Sequence, residues 1–278
     1  MRKINIVTDS TSDLSDELLK KFDIKVWPLY INFGEESFRD KVDIGAELLY
    51  KKVEEYGELP KTAALSPLKF HELFSEYSKD EDVIYMGIGS QLSVNFNNAR
   101  LAAEEFDNVY LADSNNLSTG IGLQLLKMAK YRDEGLTAQE IVEKIKEVTP
   151  KVSTRFAINT LEYLHKGGRC SSTSKFFGTA LNMKPIIKVI DGKMLAAKKP
   201  IGFKKALNAM VSEALADKDN IDPDYIMITH SLADKDAIYL KKKLESNGFT
   251  NIYITKASGV ISTHCGPRTI GILYILKN

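Results

Sequence analysis

The chain alternates short apolar, β-prone segments with amphipathic segments of helical period. Residues 4–7 are β-prone, a polar turn follows at residues 8–13, and apolar residues then recur at helical spacing from Leu14 to Phe22. The same unit returns from residue 83 and again from residue 225. Strands that alternate with helices of about 10–15 residues indicate βαβ units. The pattern therefore predicts an α/β fold with largely parallel sheets.

The texture of the sequence changes in the middle of the chain. A charged helix is predicted over residues 138–148, and Pro150 discourages its continuation. An apolar stretch and a hairpin-type Asp191-Gly192 pair follow. Because 278 residues suit two domains of ordinary size, we expect an N-terminal α/β domain over residues 1–152 and a C-terminal α/β domain over residues 153–278.

Composition excludes several classes of function. The 38 basic and 37 acidic residues give a net charge of +1, so no general electrostatic attraction to nucleic acid is expected. No apolar run approaches the roughly 20 residues of a membrane-spanning helix. The two cysteines, Cys170 and Cys265, form no metal or disulfide pattern, and the four histidines show no zinc spacing. We expect a cytoplasmic protein without a metal site.

Small hydroxylated residues and glycines cluster where the predicted strands end. Ligands of open α/β sheets bind beyond the carboxyl ends of the strands, and hydroxyl and backbone N–H groups suit an anion or a polar head group. The alternative is that these residues only cap helices and permit turns. The candidates are Ser10, Thr11, Ser90, Ser93, Ser114, Thr119, residues 229–231, and a late turn at residues 258–266 that contains His264 and Gly266.

Known catalytic motifs do not account for these candidates. Leu92 stands where a dinucleotide-binding loop that starts at Gly87 needs its third glycine, and no P-loop or nucleophile elbow occurs. His264 is a candidate general base or ligand hydrogen-bonding residue, with His230 as second choice. Arg169 either clamps an anion or caps a helix C-terminus.

A collinear series of motifs along nearly the whole chain resembles the DegV family, the bacterial fatty-acid-binding proteins of the FakB type. The resemblance implies two α/β domains with a ligand cleft between them, and a long-chain fatty acid as bound ligand without other cofactors. It implies a carrier, without catalysis of its own, that presents the carboxyl group to a separate FakA-like fatty acid kinase. The motifs are residues 8–14 (Thr-Asp-Ser-Thr-Ser-Asp-Leu), 60–62, 88–93, 113–114, 118–122, 161–169, 184–192, 204–207 and 263–267.

The same resemblance implies roles for individual residues. Thr62 and Ser93 are expected to hydrogen-bond the carboxyl group, with His264 and Arg169 beside it. A surrounding set of residues is expected to support these four: Ser10, Thr11, Ser90, Ser114, Thr119 and Gly266.

Three segments depart from the family pattern. Residues 63–66 read Ala-Ala-Leu-Ser where the family has Ser-Gln-Pro-Ser, and residues 94–97 read Val-Asn-Phe-Asn for Gly-Thr-Tyr-Gln. Ile201 and Phe203 stand in place of the two arginines of an Arg-Gly-Arg segment associated with kinase docking. The pocket and the usual docking surface are therefore altered here.

Two other hypotheses remain open at this point. One is an enzyme that acts on a small polar substrate, since the fold resembles a domain of dihydroxyacetone kinases, with His264 or His230 in a chemical role. The other is a lipid sensor or storage protein without a kinase, which, like the carrier, would exchange lipid by transient membrane contact. Apolar residues that either line a tunnel or form ordinary core are Phe176, Phe177, Leu181, Met183 and Ile186.

Overall fold

The computed structural model describes residues 2–169 and 182–278, which form three β-sheets and the helices that cover them. The described strands are β1 (Ile4–Asp9), β2 (Ile24–Trp27), β3 (Tyr30–Phe33), β4 (Glu36–Arg39), β5 (Lys61–Ala63), β6 (Asp82–Tyr85), β7 (Val109–Leu111), β8 (Val152–Ala157), β9 (Ile186–Ile190), β10 (Lys193–Lys198), β11 (Ile221–Ser231), β12 (Ile252–Lys256) and β13 (Thr269–Leu276). The described α-helices are α1 (Asp16–Lys21), α2 (Ala46–Tyr56), α3 (Pro67–Tyr77), α4 (Asn95–Ala103), α5 (Thr119–Asp133), α6 (Ala138–Val148), α7 (Glu162–Lys166), α8 (Phe203–Ala216), α9 (Asp234–Glu245) and α10 (Gly259–Cys265).

The first sheet is parallel and has the strand order β2-β1-β6-β7. Every residue of β1 is buried, as expected for a parallel sheet that is covered on both faces. Ser15 caps α1 by accepting a hydrogen bond from the Leu18 N–H at 3.3 Å. The first two predicted βαβ units are thus present, and their strand-end loops share one edge of the sheet.

The β-prone residues 25–33 form two strands that lie in different sheets. The chain leaves the parallel sheet after β2 and enters a three-stranded antiparallel sheet of order β4-β3-β5. Pro28 lies between the two strands, and proline has no N–H to donate to a continuous ladder. This sheet brings Thr62 of β5 opposite Ile31 of β3, close to the strand-end loops.

The second large sheet has six strands in the order β10-β9-β8-β13-β11-β12 and is mixed. The predicted α/β class is confirmed, but this sheet is not largely parallel: β11 and β12 are its only parallel neighbours among the described strands. A two-residue turn at Asp191 and Gly192, both with positive φ, folds β9 back on β10 as an antiparallel hairpin. β8 begins at Val152, where the sequence places the division between residues 1–152 and 153–278.

Helix α5 packs between the parallel and the six-stranded sheets. All its residues from Thr119 to Ala129 are buried, and its apolar side chains share one core with Ile6 and Ile84 on one side and Leu273 on the other. Burial on all sides is typical of a helix in such a central position. The start of α5 therefore lies where the loops of both sheets meet.

A second core lies under the three-stranded sheet and is rich in aromatic rings. Trp27 stacks on Tyr85 with ring centroids 5.8 Å apart and an interplanar angle of 14°. The rings of Phe70 and Phe74 pack edge-on against Trp27, and Val260 of α10 joins the same core. The helix that carries His264 is thereby fixed to the N-terminal half of the chain. No helix in the described ranges is long and apolar enough to cross a membrane.

Candidate functional site

A cavity of about 140 Å³ lies between the strand-end loops of the parallel sheet, β5 and α10. Its polar lining consists of Thr11, Thr62, Ser93, Arg169 and His264, and the remaining walls are mostly apolar. The four residues that the sequence assigns to a head group therefore share one cavity. Thr11, one of the six surrounding candidates, lies there as well.

Helix α10 replaces the turn that the sequence predicts at residues 258–266. Ser258 caps it by accepting a hydrogen bond from the Ile261 N–H at 3.2 Å, and the apolar side chains of Val260 and Ile261 are buried. The helix ends at Gly266, whose φ is 81°, and a Cβ there would lie 2.8 Å from the Tyr163 ring. Gly266 thus fixes the end of α10 beside His264 rather than lining the cavity.

His264 and Thr62 are in direct contact in the cavity wall. The Thr62 Oγ1 and His264 Nε2 atoms are 2.9 Å apart, while His264 Nδ1 has no hydrogen-bond partner in the part of the chain that the structure describes. Burial, and secondarily the charge of Arg169, lower the pKa of His264 to about 4. The imidazole is therefore neutral at pH 7, and it offers one donor and one acceptor rather than a positive charge.

Gly167 allows this position of the imidazole. A Cβ at residue 167 would lie 2.5 Å from His264 Nδ1, closer than any ordinary van der Waals contact. The backbone there has φ −73°, so glycine is needed for space and not for conformation.

Arg169 has the capping role that the sequence offered as one of two, and it also lines the cavity. Its Nη1 donates to the Gly167 carbonyl oxygen at 2.6 Å, just beyond the end of α7, which satisfies a free carbonyl at a helix C-terminus. Its side chain also lines both the cavity and an outer groove of about 520 Å³. Ser90, Ser93 and Lys193 line the groove too. The polar end of the cavity therefore opens towards solvent past a permanent cation.

Three of the candidate hydroxyls are buried and bonded within the protein, away from the cavity. Ser10 donates to Asp40 at 2.7 Å, Ser114 donates to the Gly87 carbonyl oxygen at 2.7 Å, and Thr119 bonds the hydroxyl of Thr229. These three side chains therefore stabilise turns and loops, which is the alternative to ligand binding that the sequence left open.

A second, inner cavity of about 30 Å³ adjoins the first. The two share Leu117, Ile261 and Cys265 in their walls. Strands β8, β11 and β13 close the far side, with Thr154 and Thr229 among the lining residues. The pair of cavities runs from the polar loops into the space between α5 and the six-stranded sheet.

The hydroxyls around the inner cavity are satisfied by the protein. Thr154 donates to the Asn116 side chain at 2.7 Å, and Thr229 bonds the hydroxyls of Thr119 and Thr255. Ser231 bonds the Tyr50 hydroxyl at 2.7 Å, and Thr269 donates to the Cys265 carbonyl oxygen at 2.8 Å. These side chains need no polar ligand, so the inner cavity suits hydrocarbon.

His230 also borders the inner cavity, and the protein itself supplies a hydrogen-bond partner for its ring. Its Nδ1 accepts a hydrogen bond from the Ala233 N–H at 3.2 Å, and burial lowers the pKa of the imidazole. The segment 229–231, which the sequence offers as a head-group site, lies instead on the apolar side of the cavities.

Two buried carboxyl groups that the sequence did not single out hold the start of α10. Asp13 accepts from the Ser258 N–H at 2.8 Å, and Asp40 accepts from the Gly259 N–H at 2.7 Å. Burial raises the pKa of Asp13 to about 7 and that of Asp40 to about 6. Asp13 belongs to a recognisable motif, whereas nothing near Asp40 in the sequence signals a contact with a segment about 220 residues later.

The chain is similar to known proteins in both sequence and structure. A sequence model of the DegV family, described as uncharacterised proteins, matches residues 3–277. The chain belongs to the DegV family. It is 34% identical to a DegV domain-containing protein of Clostridium perfringens over 99% of both chains.

Solved structures of DegV proteins share the fold over the whole chain. A fatty-acid-binding DegV family protein from Thermus thermophilus superposes with a TM-score of 0.91 at 29% identity, and the match covers 99% of this chain and 100% of that one. A stearic acid-binding protein from Eubacterium ventriosum gives a TM-score of 0.88 at 26% identity, with 100% and 99% coverage.

The two residues that the resemblance sets against the arginines of a docking segment occupy different environments. Phe203 is buried at the start of α8, with the Arg268 guanidinium 4.5 Å from its ring centroid. Ile201 is 59% exposed. The segment therefore presents an aliphatic side chain to solvent at residue 201.

Two of the residues that the sequence assigns either to a tunnel or to ordinary core lie outside the two cavities. Ile186 packs in the core beneath α8 with Phe203, and Met183 bridges to Ile201; neither lines the two cavities. In the described ranges, no group of three or more His, Cys, Asp or Glu side chains could hold a metal ion. Four residues that the sequence analysis names lie outside the described ranges: Cys170, Phe176, Phe177 and Leu181.

Proposed function

We propose that this protein binds a long-chain fatty acid, with the carboxyl group in the outer cavity and the hydrocarbon chain entering the inner one. The residues that line the inner cavity must move apart to admit the chain, because about 30 Å³ holds only one or two methylene groups. The observation that carries this proposal is the change of character along the pair of cavities, from a polar end at Thr62 and Arg169 to an inner wall without unsatisfied hydroxyls. Fatty acid binding by the Thermus and Eubacterium relatives supports the same ligand class.

The roles of the lining residues follow from charge and polarity. Arg169 supplies the positive charge for a carboxylate, because His264 is neutral at pH 7. Thr62, Ser93 and His264 supply hydrogen bonds. Each buried methylene contributes about 0.8 kcal/mol, whereas a hydrogen bond to a charged group nets about 1.5–3 kcal/mol. Affinity therefore comes mainly from the chain, and the polar residues orient it.

Native mass spectrometry of gently purified protein tests this ligand class. We expect a stoichiometric bound mass that organic extraction releases as a fatty acid. Leu117→Asp, which places a carboxylate at the junction of the two cavities, should abolish uptake, whereas Leu68→Asp, at a 70% exposed position, should not. An empty protein that also takes up no added fatty acid would refute the proposal, and a bound polar metabolite would favour the enzyme hypothesis.

We further propose that the protein is a cytoplasmic carrier that receives lipid by transient membrane contact and presents the carboxyl group to a separate fatty acid kinase. The outer groove beside Ser90, Ser93 and Arg169 supports this, because it gives a second protein access to the polar end of the cavity. The buried Phe203 and the exposed Ile201 imply docking through an apolar contact rather than through the arginines of the usual pattern.

Reconstitution with a bacterial fatty acid kinase and ATP tests the carrier role. Acyl phosphate formed on the bound acid reacts with hydroxylamine to give an acyl hydroxamate that can be quantified. We expect hydroxamate only when carrier, kinase and ATP are all present. Bound fatty acid that no such kinase phosphorylates would instead indicate a sensor or storage protein.

A further inference from the structure

Asn95 lies fully buried at the start of α4, behind the outer cavity. Its side-chain Nδ2 donates to Asp9 Oδ2 at 2.9 Å and to the Tyr85 hydroxyl at 2.8 Å. Its Oδ1 accepts from the Leu65 N–H at 3.0 Å, and its backbone N–H donates to Ser93 Oγ at 3.2 Å. One side chain and its own backbone therefore connect the end of β1, the end of β6, Ser93 and the segment that follows Thr62.

Asp9 extends the same network to the other walls of the cavity. Its Oδ1 accepts from the Thr11 N–H at 3.0 Å and from the Thr11 hydroxyl, and its Oδ2 accepts from the Ile88 N–H at 3.0 Å and the Tyr85 hydroxyl at 3.1 Å. Thr11 and Ile88 both line the cavity. A Cβ at Gly87 would lie 2.2 Å from Asp9 Oδ2, so a larger residue at position 87 would displace the Asp9 carboxyl group.

The hydrogen-bond partners fix both the orientation and the identity of the Asn95 side chain. Both donor hydrogens face acceptors on Asp9 and Tyr85, and the carbonyl oxygen faces a backbone donor. If the amide were rotated so that its oxygen and nitrogen changed places, the Asn95 oxygen would face the Asp9 carboxyl oxygen, an acceptor against an acceptor. The Asn95 nitrogen would then face the Leu65 N–H, a donor against a donor. A carboxylate at residue 95 would likewise meet the Asp9 carboxyl group. Only an amide of this length satisfies all three contacts.

From this arrangement we infer that Asn95 is a positioning residue, which sets the relative placement of Ser93 and the Thr62 segment and so gives the site its selectivity for a free carboxyl group. The inference rests on the proposed binding of fatty acids. Asn95 itself does not line the cavity, and it acts by holding the loops that carry the head-group donors. Such groups must be held within about 0.5 Å to recognise a ligand group well.

The test compares palmitic acid with methyl palmitate, which has nearly the same chain but no ionisable carboxyl group. Affinities are measured by displacement of a fluorescent fatty acid from delipidated wild-type protein, Asn95→Ala and the control Asn97→Ala, an exposed asparagine on the same helix. Asn95→Ala should lower the ratio of acid to ester affinity by about tenfold, the loss of roughly one hydrogen bond to a charged group. Asn97→Ala should leave the ratio unchanged.

Purely structural damage would weaken the acid and the ester alike and would overturn the inference, as would an unchanged ratio. Tyr85→Phe provides a second variant that keeps the core packed while removing one hydroxyl from the network; it should lower the same ratio by about two- to threefold. An unchanged ratio in this variant overturns the inference even if Asn95→Ala does not fold. A wild-type protein that binds neither ligand refutes the proposed function itself, and with it this inference.

Discussion

Gly167→Ala should displace His264 and destabilise the protein through one added methyl group. The new Cβ would lie 2.5 Å from His264 Nδ1 and 3.0 Å from the Tyr163 carbonyl oxygen, whereas ordinary contacts begin near 3.5 Å. The imidazole or the end of α7 must therefore move by about 1 Å, which disrupts the 2.9 Å contact between His264 and Thr62. Overpacking of this kind costs about 1–3 kcal/mol.

Urea unfolding of Gly167→Ala, His264→Ala and the double variant measures this cost directly. If the clash is with the imidazole, the methyl group costs little once His264 is gone, and the two substitutions couple by at least about 1 kcal/mol. Gly45→Ala is the matched control, because residue 45 has a φ of −125° and open space around its Cβ position.

The accompanying fall in Tm should be about 2–4 °C for each kcal/mol. Fatty acid affinity should fall in Gly167→Ala and stay unchanged in Gly45→Ala. Effects of the two substitutions that add within about 0.5 kcal/mol would refute the reasoning, because they would show that the methyl group and the imidazole do not meet.

Cys265→Phe should narrow the junction of the two cavities. Displacement assays should then show at least a tenfold loss of stearate affinity and little change in octanoate affinity. Equal losses of affinity for the two acids would contradict a continuous path for the chain between the cavities. Ser93→Ala should retain the acid within about tenfold but slow acyl hydroxamate formation with a kinase, and complete loss of lipid from folded protein would contradict that division. Because the pKa of Asp13 rises on folding from 3.8 to about 7, the folded state binds more protons in this window and stability falls as the pH rises through it. Asp13→Asn should therefore flatten the decline of the unfolding free energy between pH 4 and 7 in urea titrations. His264, with a folded pKa of about 4 against 6.5, contributes stability that is present above pH 6.5 and lost as the pH falls towards 4, so His264→Gln should reduce the acid-side loss.

Local periodicity explains why the βαβ units could be predicted. The unit predicted from residue 225 is present as β11, α9 and β12, because such patterns depend on neighbours in sequence. The mixed sheet could not be predicted in the same way. The place of β13 between β8 and β11 depends on its pairing with β8, which joins residues more than 100 positions apart, as between Ile270 and Ala157.

The candidate site shows the same limit. The pattern of hydroxyl residues at strand ends pointed to Ser93, which lines the cavity, whereas Thr62 came only from the family resemblance. Whether a hydroxyl faces a ligand or a neighbour was not readable: Thr229 bonds Thr119, which lies 110 residues earlier. Asn95 appeared only as a departure from the family pattern, and its importance became visible once Asp9 and Leu65 were seen on either side of it.

The stacking of Trp27 on Tyr85 has a practical consequence. Trp27 is the only tryptophan in the chain, it is 4% exposed, and it lies one ring away from the hydroxyl that joins Asp9 to Asn95. Its intrinsic fluorescence therefore reports on a single buried environment behind the cavity. A spectral shift on loading would give an optical signal of cargo without any attached dye, and the same signal would follow lipid hand-over to a membrane or a partner protein in real time.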